Sequence, residues 1–560
     1  MKETLQRTEV QKEERLLRQH HEVTFLPEGW RMTVAEGTTL LQVAREGGLN
    51  LEAPCDGRGS CGKCRVRVSG QLAPPDEFEV SQLGNLLHTG LRLACRTKIY
   101  GAVQAQIEST GRESFVALTE ARSSQWSFDP PVRNRYQEGR PCYGIALDIG
   151  TTSIAAELID LINGKSLGAE ACLNPQTAYG GDVLTRISFA AEHTNGTQML
   201  QANVAEGISS LIERLTAVHS ISNEDIYEMV VAGNTTMLHL LLGISPQSLA
   251  QAPFRPVFTQ QVDVSPAKVG LDMATGGVIT LLPSAAAFIG ADIVAGLLAV
   301  GHRFYSGTAL FIDIGTNGEI VASKNGKLAA TSAAAGPALE GMNISCGCRA
   351  EAGAIEAVAI DDNYNVSIEV IGTAPLRGIC GSGLIDLIAE LVRCGLIEPN
   401  GRFAQKNKLA TVFASRMVDV NERPAFLVAE EGPIYLSQKD VRQVQLAKGA
   451  IAAAIELLLQ KLDISYADIE EVLVAGAFGA HLKPSSLIGI GLLPPECEGK
   501  IRFVGNTAKE GAKAVLLNRQ AASNVVELAQ AIEVIDLSSQ PEFQDCFIKA
   551  LSYPDKNKSW

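Results

Sequence analysis

The feature that most constrains the fold is a set of four cysteines within the first hundred residues. Three follow the spacing C-x5-C-x2-C, and the last lies thirty-one residues further on: Cys55, Cys61, Cys64 and Cys95. This spacing suits a [2Fe-2S] cluster, in which a tight loop supplies three thiolates and a distant strand or turn supplies the fourth. Glycines at positions 57, 59 and 62 fit such a loop, because a backbone that passes close to inorganic sulfide needs positive φ angles.

A zinc site is the main alternative for the same four cysteines. Zinc sites usually combine two separated C-x2-C pairs, or a mixture of cysteine and histidine. This stretch has one such pair, one extra upstream cysteine and no histidine among the four candidates. We therefore predict that the four cysteines hold a [2Fe-2S] cluster, with zinc or unligated thiols as the alternatives.

The residues around the cysteines predict a small β-grasp-like ferredoxin domain over residues 22–110. Alternating apolar residues in 22–33 and 65–68 indicate half-buried strands, and 38–47 has the apolar spacing of a short helix. A further strand at 91–95 delivers the fourth cysteine. This order of strand, helix, cysteine loop, strand and late cysteine resembles the adrenodoxin-like branch of [2Fe-2S] ferredoxins.

Length and charge limit the remaining possibilities. A chain of 560 residues is too long for one hydrophobic core, so we expect several domains. The formal net charge of −14 argues against nucleic acid as a partner, because phosphate binding depends on clustered Lys and Arg. Residues 1–21 form a charged extension without an apolar core, and no run of eighteen apolar residues occurs. We expect no secretory signal, no membrane partner and a cytoplasmic location.

Beyond the ferredoxin domain, residues 111–141 are predicted to be a linker that packs weakly. Proline, glycine, serine and charged residues are frequent there, and no hydrophobic period is visible. A mobile tether of this kind would let the cluster reach an electron donor on one side and a partner on the other.

After the linker the sequence shows an internal duplication. An apolar strand runs into an aspartate and then a turn of glycine and hydroxyl residues at 144–152, and the same pattern returns at 309–319. A second repeated pair, 229–236 and 472–479, predicts in each copy a strand, a glycine turn and a helix. Two copies that open two similar halves are much stronger evidence than one short motif.

Two such hairpins facing each other across a cleft would hold a triphosphate from opposite sides. Backbone N–H groups and hydroxyls of the turns donate to phosphoryl oxygens, and an aspartate at the strand end positions Mg²⁺ or its waters. We predict Asp148 and Asp313 as catalytic residues. The later glycine turn lets adenine and ribose approach the backbone. The predicted nucleotide-binding residues are Gly150, Thr151, Thr152, Gly315, Thr316, Asn317, Gly476, Ala477 and Phe478.

Two weaker candidates each have a plain alternative. Glu340 could orient the attacking water as a further catalytic residue, or it could be a surface carboxylate. Gly381, Ser382 and Gly383 precede an apolar helix and could bind phosphate at its N-terminus, or they could form a tight turn.

The duplicated halves resemble the ATPase superfamily of actin, sugar kinases and chaperone ATPases. The resemblance is carried by phosphate motifs at 148–152 and 313–319 and an adenosine motif at 474–482. It implies a multidomain α/β and α+β protein with a two-lobed, duplicated RNase H-like ATPase fold. The implied segments are lobe 1 at 142–305, lobe 2 with a return segment at 306–520 and a C-terminal segment at 521–560.

Fusion of this ATPase to a [2Fe-2S] domain is similar to the reductive activators of corrinoid proteins. Family-like stretches are 233–237, 282–292, 335–341, 378–386 and 505–512. Members of that family can carry a folded middle domain between cluster and ATPase, whereas here only about thirty residues separate the two predicted domains.

The resemblance implies an ATP-dependent activator that passes one electron from the cluster to a corrinoid protein. Inactive Co(II) would thereby return to Co(I) in a methyl-transfer system. The implied cofactors are a [2Fe-2S] cluster, ATP and Mg²⁺. The implied partners are the corrinoid protein as acceptor, a low-potential ferredoxin or flavodoxin as donor, and a second copy of the chain in a homodimer.

Other functions remain as alternatives. Activators of 2-hydroxyacyl-CoA dehydratases couple the same ATPase fold to low-potential electron transfer, but they resemble dimers that share a bridging [4Fe-4S] cluster, which the N-terminal cysteine motif argues against. A sugar kinase needs a substrate-binding aspartate base and no iron. A different class is an electron-transfer or sensing module in which nucleotide only sets the conformation.

Overall fold

The structure of the chain is a computed structural model, and it describes most of the sequence between residues 19 and 555. The described residues are 19–26, 29–47, 49, 51, 53, 55, 57, 59, 62–107, 126–131, 140–408, 411–420, 422–429, 434–476 and 482–555. They belong to two compact units, one formed by residues 1–112 with 175–193 and the other by 113–174 with 194–560. In the described ranges, no helix has the length and apolar character needed to cross a membrane.

The first unit is built on a five-stranded sheet. Its elements are β1 (His20–Leu26), β2 (Trp30–Ala35), α1 (Leu40–Glu46), β3 (Arg65–Leu72), α2 (Glu77–Leu83), β4 (Leu91–Leu93), β5 (Ile99–Ile107) and α3 (Val183–Glu192). The strand order is β2-β1-β5-β3-β4, with β1 and β5 parallel and the other neighbours antiparallel. Helix α1 and the sheet share one core, because the apolar face of the helix is buried with the inward residues of β1, β3 and β5. This arrangement is the predicted β-grasp-like ferredoxin fold.

Local sequence signals explain the ends of α1. The Thr39 side chain accepts a hydrogen bond from the Gln42 N–H and forms a capping box, and Gly47 ends the helix. The predicted helix at 38–47 is therefore confirmed. The alternating run at 22–33 is two antiparallel strands rather than one, and Gly29, with φ 69°, lies between them.

Residues 175–193 belong to the first unit although the chain on both sides of them belongs to the second. The Arg45 guanidinium, at the end of α1, donates to the Ala178 carbonyl at 2.6 Å and lies 5.3 Å from the centre of the Tyr179 ring. The domain boundaries inferred from sequence placed this segment in lobe 1, because nothing in its composition marks the contact with α1.

Two six-stranded sheets form the centre of the second unit. The strands are β6 (Tyr143–Ile149), β7 (Ser153–Asp160), β8 (Ser166–Leu173), β9 (Ile226–Gly233), β10 (Val262–Val264), β11 (Val278–Leu281), β12 (Thr308–Ile314), β13 (Gly318–Lys324), β14 (Lys327–Ala333), β21 (Glu471–Ala475), β22 (Ile501–Gly505) and β23 (Ile532–Val534). The first sheet has the order β10-β11-β9-β6-β7-β8 and the second β22-β21-β12-β13-β14-β23.

The two sheets repeat one topology, which confirms the predicted duplication. In each, three consecutive strands form an antiparallel meander, β6-β7-β8 in one and β12-β13-β14 in the other. The first strand of each meander then pairs in parallel with a later strand, β9 or β21, which pairs in parallel with β11 or β22. The matching strands β6 and β12 therefore deliver matching turns.

Helices and two small sheets complete the second unit. The small sheets are β15 (Ala354–Ile360), β16 (Val366–Val370) with β17 (Gly378–Ile379), and β18 (Met417–Val420), β19 (Arg423–Ala429) with β20 (Ile434–Ser437). The helices are α4 (Gly196–His219), α5 (Thr235–Leu241), α6 (Ala291–Val300), α7 (His302–Ser306), α8 (Gly381–Arg393), α9 (Thr411–Arg416), α10 (Gln438–Leu462), α11 (Pro484–Gly489), α12 (Thr507–Leu517), α13 (Arg519–Ala531) and α14 (Phe543–Ala550). Helix α12 returns to the first sheet, where it contacts α6, β6 and β9.

Most of the predicted linker lies outside the described residues. The Asp129 N–H donates to the Leu517 carbonyl at 2.9 Å, and the Asn518 side chain donates to the Ser127 carbonyl at 2.6 Å. This part of the linker is therefore anchored at the end of α12, and the expectation of weak packing is wrong for it.

Candidate functional site

Two β-hairpins of matching geometry hold the predicted catalytic aspartates. Asp148 lies near the end of β6, and the Gly150 N–H closes the following turn on the Ser153 carbonyl at 2.9 Å. Asp313 occupies the matching position of β12 and lies opposite Glu319 of β13. The repeated sequence pattern thus produces two aspartates at the ends of equivalent strands.

Both hairpins open into one cavity of the second unit. Its lining includes all three predicted catalytic carboxylates and every predicted residue of the two phosphate motifs. The lining residues are Asp148, Gly150, Thr151, Thr152, Ser153, Asn234, Asp292, Asp313, Ile314, Gly315, Thr316, Asn317, Glu319, Glu340, Gly476, Asn506, Thr507 and Ala508. The structure therefore brings together residues that are more than three hundred positions apart in sequence.

Five carboxylates crowd this cavity, and burial raises the pKa of each of them. Burial and the charge of Asp292 raise the pKa of Asp148 to about 7. Burial, with the charges of Asp292, Asp148 and Glu340, raises the pKa of Asp313 to about 8. Burial and the charges of Asp292 and Asp313 also raise the pKa of Glu319. So much negative charge in a desolvated cleft favours a bound cation, which would stabilise the ionised carboxylates.

Glu340 links the two hairpins. Its Oε2 accepts hydrogen bonds from the hydroxyls of Thr152 and Thr316, each at 3.2 Å. Burial raises the pKa of Glu340, and the hydrogen bonds from the two threonines oppose that rise. Glu340 therefore faces both phosphate motifs, as its candidate catalytic role requires, and the alternative of a surface carboxylate does not fit this position.

Three of the four predicted cluster cysteines are described, and Cys61 lies outside the described residues. Cys64 is buried, and its carbonyl accepts the Ala94 N–H at 2.8 Å, next to the turn that carries Cys95. A hydrogen bond with the Cys95 side chain, burial and the charges of Cys95 and Cys55 raise the pKa of the Cys64 thiol. The three sulfurs thus lie in one neighbourhood, where positively charged iron would favour the thiolates.

The loop between these cysteines has the backbone geometry that the sequence predicts. Gly57, Gly59 and Gly62 have φ angles of 72°, 76° and 66°. A β-carbon on Gly62 would lie 2.9 Å from Oε1 of Gln82 on α2, so the loop passes close to that helix. These positions favour glycine for both conformation and space, which fits a loop wrapped around a compact group.

Neither site forms a complete metal cage from protein atoms in the described ranges. No group of three or more His, Cys, Asp or Glu side chains there is placed to hold a metal ion alone. At the cysteine loop, one predicted ligand lies outside the described residues. In the cleft, Mg²⁺ would need few protein ligands, because it usually keeps several waters and binds one or two carboxylates together with substrate phosphates.

Three family profiles match consecutive parts of the chain. Residues 23–100 match the 2Fe-2S iron-sulfur cluster binding domain, 143–303 match the RACo middle region, and 307–560 match the C-terminal domain of RACo, the ASKHA domain. The first match supports iron and sulfide over zinc at the cysteines. The second shows that the segment predicted as lobe 1 corresponds to the middle region of that family, so the chain has the region that the sequence analysis did not find.

One relative decides the family. The corrinoid activation enzyme RamQ of Eubacterium limosum is 37% identical over 428 residues, which span 75% of this chain and 72% of that enzyme. The chain belongs to the reductive activators of corrinoid proteins. The Co(II) methylated amine-specific corrinoid protein reductase of Methanosarcina barkeri is 27% identical over 449 residues, or 73% of this chain and 77% of that reductase.

A solved structure of this family shares the architecture. A reductive activator for a corrinoid, iron-sulfur protein aligns with a TM-score of 0.70 at 30% identity, over 95% of this chain and 98% of that one. The family resemblance given by the sequence motifs is therefore confirmed, as is the fusion of a ferredoxin domain to an ATPase-type fold.

Two predicted parts of this reductive activator's nucleotide site are not among the cavity residues that the structure describes. The Ser382 hydroxyl donates to the Glu356 carbonyl at 2.8 Å, and a β-carbon on Gly383 would lie 2.3 Å from the Ile355 carbonyl oxygen. Gly381, Ser382 and Gly383 form the first turn of α8, packed against Ile355 and Glu356, rather than a separate tight turn before it, and a phosphate role for them stays a prediction. Ala477 and Phe478 lie outside the described residues, whereas Gly476 lines the cavity with φ 111°.

Sequence reasoning missed several cavity residues of this reductive activator. The Asn506 side chain donates to Asp148 Oδ2 at 2.9 Å, and the Asn234 side chain donates to Thr151 Oγ1 at 3.1 Å. Both asparagines cap a helix that directly follows a parallel strand, α12 after β22 and α5 after β9. The strand-to-helix position was the available signal, because such turns meet at one edge of a parallel sheet.

Proposed function

We propose that the protein is an ATP-dependent reductive activator that returns an inactive Co(II) corrinoid protein to Co(I). One observation carries the proposal: a single chain combines a cysteine loop of [2Fe-2S] type with a carboxylate-lined cleft between two paired hairpins. The names of its relatives, a corrinoid activation enzyme and a Co(II) corrinoid protein reductase, support the same chemistry.

Cys55, Cys61, Cys64 and Cys95 are the proposed ligands of the cluster. When bound and reduced, the cluster supplies one electron, which Co(II) takes up to become Co(I). The protein around it contributes a buried Cys64, a glycine loop that allows close approach and a turn that fixes Cys95. These features restrict access of water to the site, which helps to set its reduction potential.

The cleft is the proposed site of Mg-ATP. The hydroxyls of Thr152 and Thr316 can donate to phosphoryl oxygens from two sides of the cavity, and the glycine turns at Gly150 and Gly315 line the same cavity. Asp148 and Asp313 would orient Mg²⁺ through its waters, since burial and the neighbouring carboxylates raise the pKa of both groups and a cation would stabilise their ionised forms. Gly476 lies where the predicted adenosine motif enters the cavity.

ATP is proposed to act by changing which complex with the partner is stable. A ligand that binds one conformation more tightly shifts the equilibrium by that difference in affinity. Glu340 is suited to such a change, because it joins the threonine hydroxyls of both hairpins and a bound phosphate would compete for them. The proposal also includes a low-potential ferredoxin or flavodoxin as electron donor, a homodimer and a cytoplasmic location.

The decisive experiment measures the oxidation state of cobalt in the corrinoid partner. Anaerobic, reduced protein is mixed with Mg-ATP and a Co(II) corrinoid protein from the same organism, and the absorption spectrum is recorded. We expect complete conversion to Co(I) with ATP and little conversion without it. Failure to reduce any corrinoid partner under either condition would overturn the proposal in favour of a nucleotide-gated electron-transfer module.

Glu340→Gln should separate ATP binding from ATP turnover. The amide oxygen can still accept both threonine hydroxyls, but the charge that orients water is lost. We expect turnover to fall by about 10²–10⁴-fold, the range for loss of a general base, while Mg-ATP affinity is kept or improved. Steady-state phosphate release and equilibrium nucleotide binding measure the two quantities.

The matched control is Glu369→Gln, which changes an exposed carboxylate on β16 of the same unit. It should leave phosphate release unchanged. Wild-type turnover in Glu340→Gln would show that Glu340 has no catalytic role and only links the hairpins.

A further inference from the structure

A buried ion cluster lies behind the Asp148 hairpin, outside the cavity. One carboxylate oxygen of Glu157, on β7, forms an ion pair with the Lys509 ammonium at 2.6 Å. The other oxygen forms an ion pair with the Lys513 ammonium at 2.5 Å. The side chain of Lys509 is 2% exposed and that of Glu157 is 5% exposed. Lysine is seldom buried so completely, so its position calls for a specific reason.

The cluster connects to Asp148 through one residue. Lys509 is in the first turn of α12, and its backbone N–H donates to Asn506 Oδ1 at 2.9 Å. The other end of the same amide, Nδ2, donates to Asp148 Oδ2 at 2.9 Å. The position of the first turn of α12 therefore fixes the direction from which Asn506 holds the carboxylate.

Burying the positive charge of Lys509 at the start of α12 costs free energy of folding unless that charge has a specific local role. Cations are disfavoured near a helix N-terminus, where the helix dipole is positive, and Lys509 lies three residues after the capping Asn506. A buried ion pair is often no more stabilising than apolar packing of the same volume. Stability of α12 alone therefore does not explain the pair, whereas accurate placement of the helix start does.

Lys509 also faces the carboxylates of the cavity from behind. Its charge opposes the rise in the pKa of Asp148 that burial and Asp292 produce. The ammonium additionally lies 3.3 Å from Glu510 Oε1, so it is held between two carboxylates and has little freedom to move. A rigid cation next to a helix start is suited to hold that start in one place.

We propose that Lys509 is a positioning residue, which through Glu157 and Asn506 sets the orientation of Asp148 for ATP hydrolysis. The inference rests on the proposed ATPase function and deepens it. Asn506 is the contact to Asp148, so Lys509 positions that carboxylate through Asn506, in addition to the direct effect of its charge on Asp148. Most of the effect of removing Lys509 on catalysis should therefore disappear when Asn506 is already absent.

The test is a double-mutant cycle on ATP turnover. Lys509→Met and Asn506→Ala should each lower kcat by about ten- to a hundredfold, the loss expected when a catalytic group is slightly misplaced, with little change in Mg-ATP affinity. The double variant should stay within about twofold of Asn506→Ala alone. Additive losses, or wild-type kcat in Lys509→Met, would overturn the proposal.

Lys448→Met is the matched control, because Lys448 is also a fully buried helical lysine but bonds to the Ser552 carbonyl. It should alter thermal stability and leave kcat within about twofold of wild type. If Lys509→Met does not fold, Lys509→Arg decides: it keeps the charge but changes the length, and an unchanged kcat in it would overturn the proposal.

A second readout does not depend on hydrolysis. Amide hydrogen exchange at residues 508–511 should be at least about tenfold faster in Lys509→Met than in Lys448→Met, because the first turn of α12 loses its anchor. Equal exchange would overturn the inference. If wild-type protein turned over no ATP, the proposed function would fail, and this exchange comparison would still decide the role of Lys509.

Discussion

Asp313→Asn is expected to keep its iron-sulfur cluster and to lose ATP turnover, and with it the ATP-driven formation of Co(I). The change removes the negative charge that Asp313 can carry beside a bound cation and leaves the shape of the side chain intact. Because Asp313 lies in the cavity with four other carboxylates and lines it beside Thr316, the loss should affect the Mg-ATP complex directly. We expect turnover to fall by at least about a hundredfold.

The measurements are phosphate release, the visible spectrum of the cluster and the cobalt spectrum of the partner. Asp419→Asn is the matched control, since Asp419 is an exposed aspartate on a strand of the same unit. It should behave as wild type in all three. An Asp313→Asn variant that hydrolyses ATP normally would show that the hairpin is structural, and one without a cluster would show misfolding instead of a catalytic defect.

The sequence predicts those parts of the two sites that depend on short, local patterns. Cys55, Cys61 and Cys64 lie within ten residues, and the glycines among them signal the backbone that a cluster loop needs. Asp148 and Asp313 were found because the same strand and turn occur twice. In each case the chemistry and the local conformation are encoded in adjacent residues.

Residues that reach a site from a distant segment gave a weaker signal. Asp292 starts α6 and Asn506 caps α12, and although both lie in the family-like stretches, neither belongs to a repeated motif. Their place at the site follows from the sheets, because β11 and β22, the strands that precede them, pair in parallel with β9 and β21, which pair in parallel with β6 and β12. Long-range strand pairing fixes this geometry, and periodicity along the sequence does not report it.

The boundary of the first unit shows a related limit. Residues 183–192 form an ordinary capped amphipathic helix, and nothing in that local pattern marks them as part of the first unit. One contact within that unit is the hydrogen bond from Arg45 to the Ala178 carbonyl. A polar contact between segments 133 residues apart cannot be inferred from either segment alone.

The energetic reason for joining both sites in one chain lies in the electron transfer. Plant-type [2Fe-2S] centres have reduction potentials near about −400 mV. Each further ~59 mV that a single electron must go uphill costs about 1.4 kcal/mol. Reduction of cob(II)amide to cob(I)amide requires a strong reductant. Transfer of the electron from the cluster to cobalt must therefore be coupled to a favourable step. Binding or hydrolysis of ATP in the cleft is the step that we propose, and it can be coupled to the electron when the same protein holds both groups.

Cys64→Ala is therefore expected to give the opposite defect from Asp313→Asn. Cys64 is buried and interacts with Cys95, so its loss should remove the cluster, with iron and sulfide falling from two of each per chain to near zero. Mg-ATP binding should persist, because the cleft belongs to the other unit, and Co(I) formation should fall to background. Cys172→Ala, which changes a half-buried cysteine on β8, is the control and should keep the cluster.

Mixing the two variants then tests whether cluster and cleft must act within one protomer. Asp313→Asn has an electron to give but lacks the ATP step, and Cys64→Ala has the ATP step but lacks the electron. If both functions work within one chain, the mixture should form Co(I) as slowly as either variant alone. Recovery of activity in the mixture would require a dimer that exchanges subunits and couples them across its interface. A zinc-loaded wild type, or a cluster that survives in Cys64→Ala, would instead contradict the assignment of the cysteine site itself.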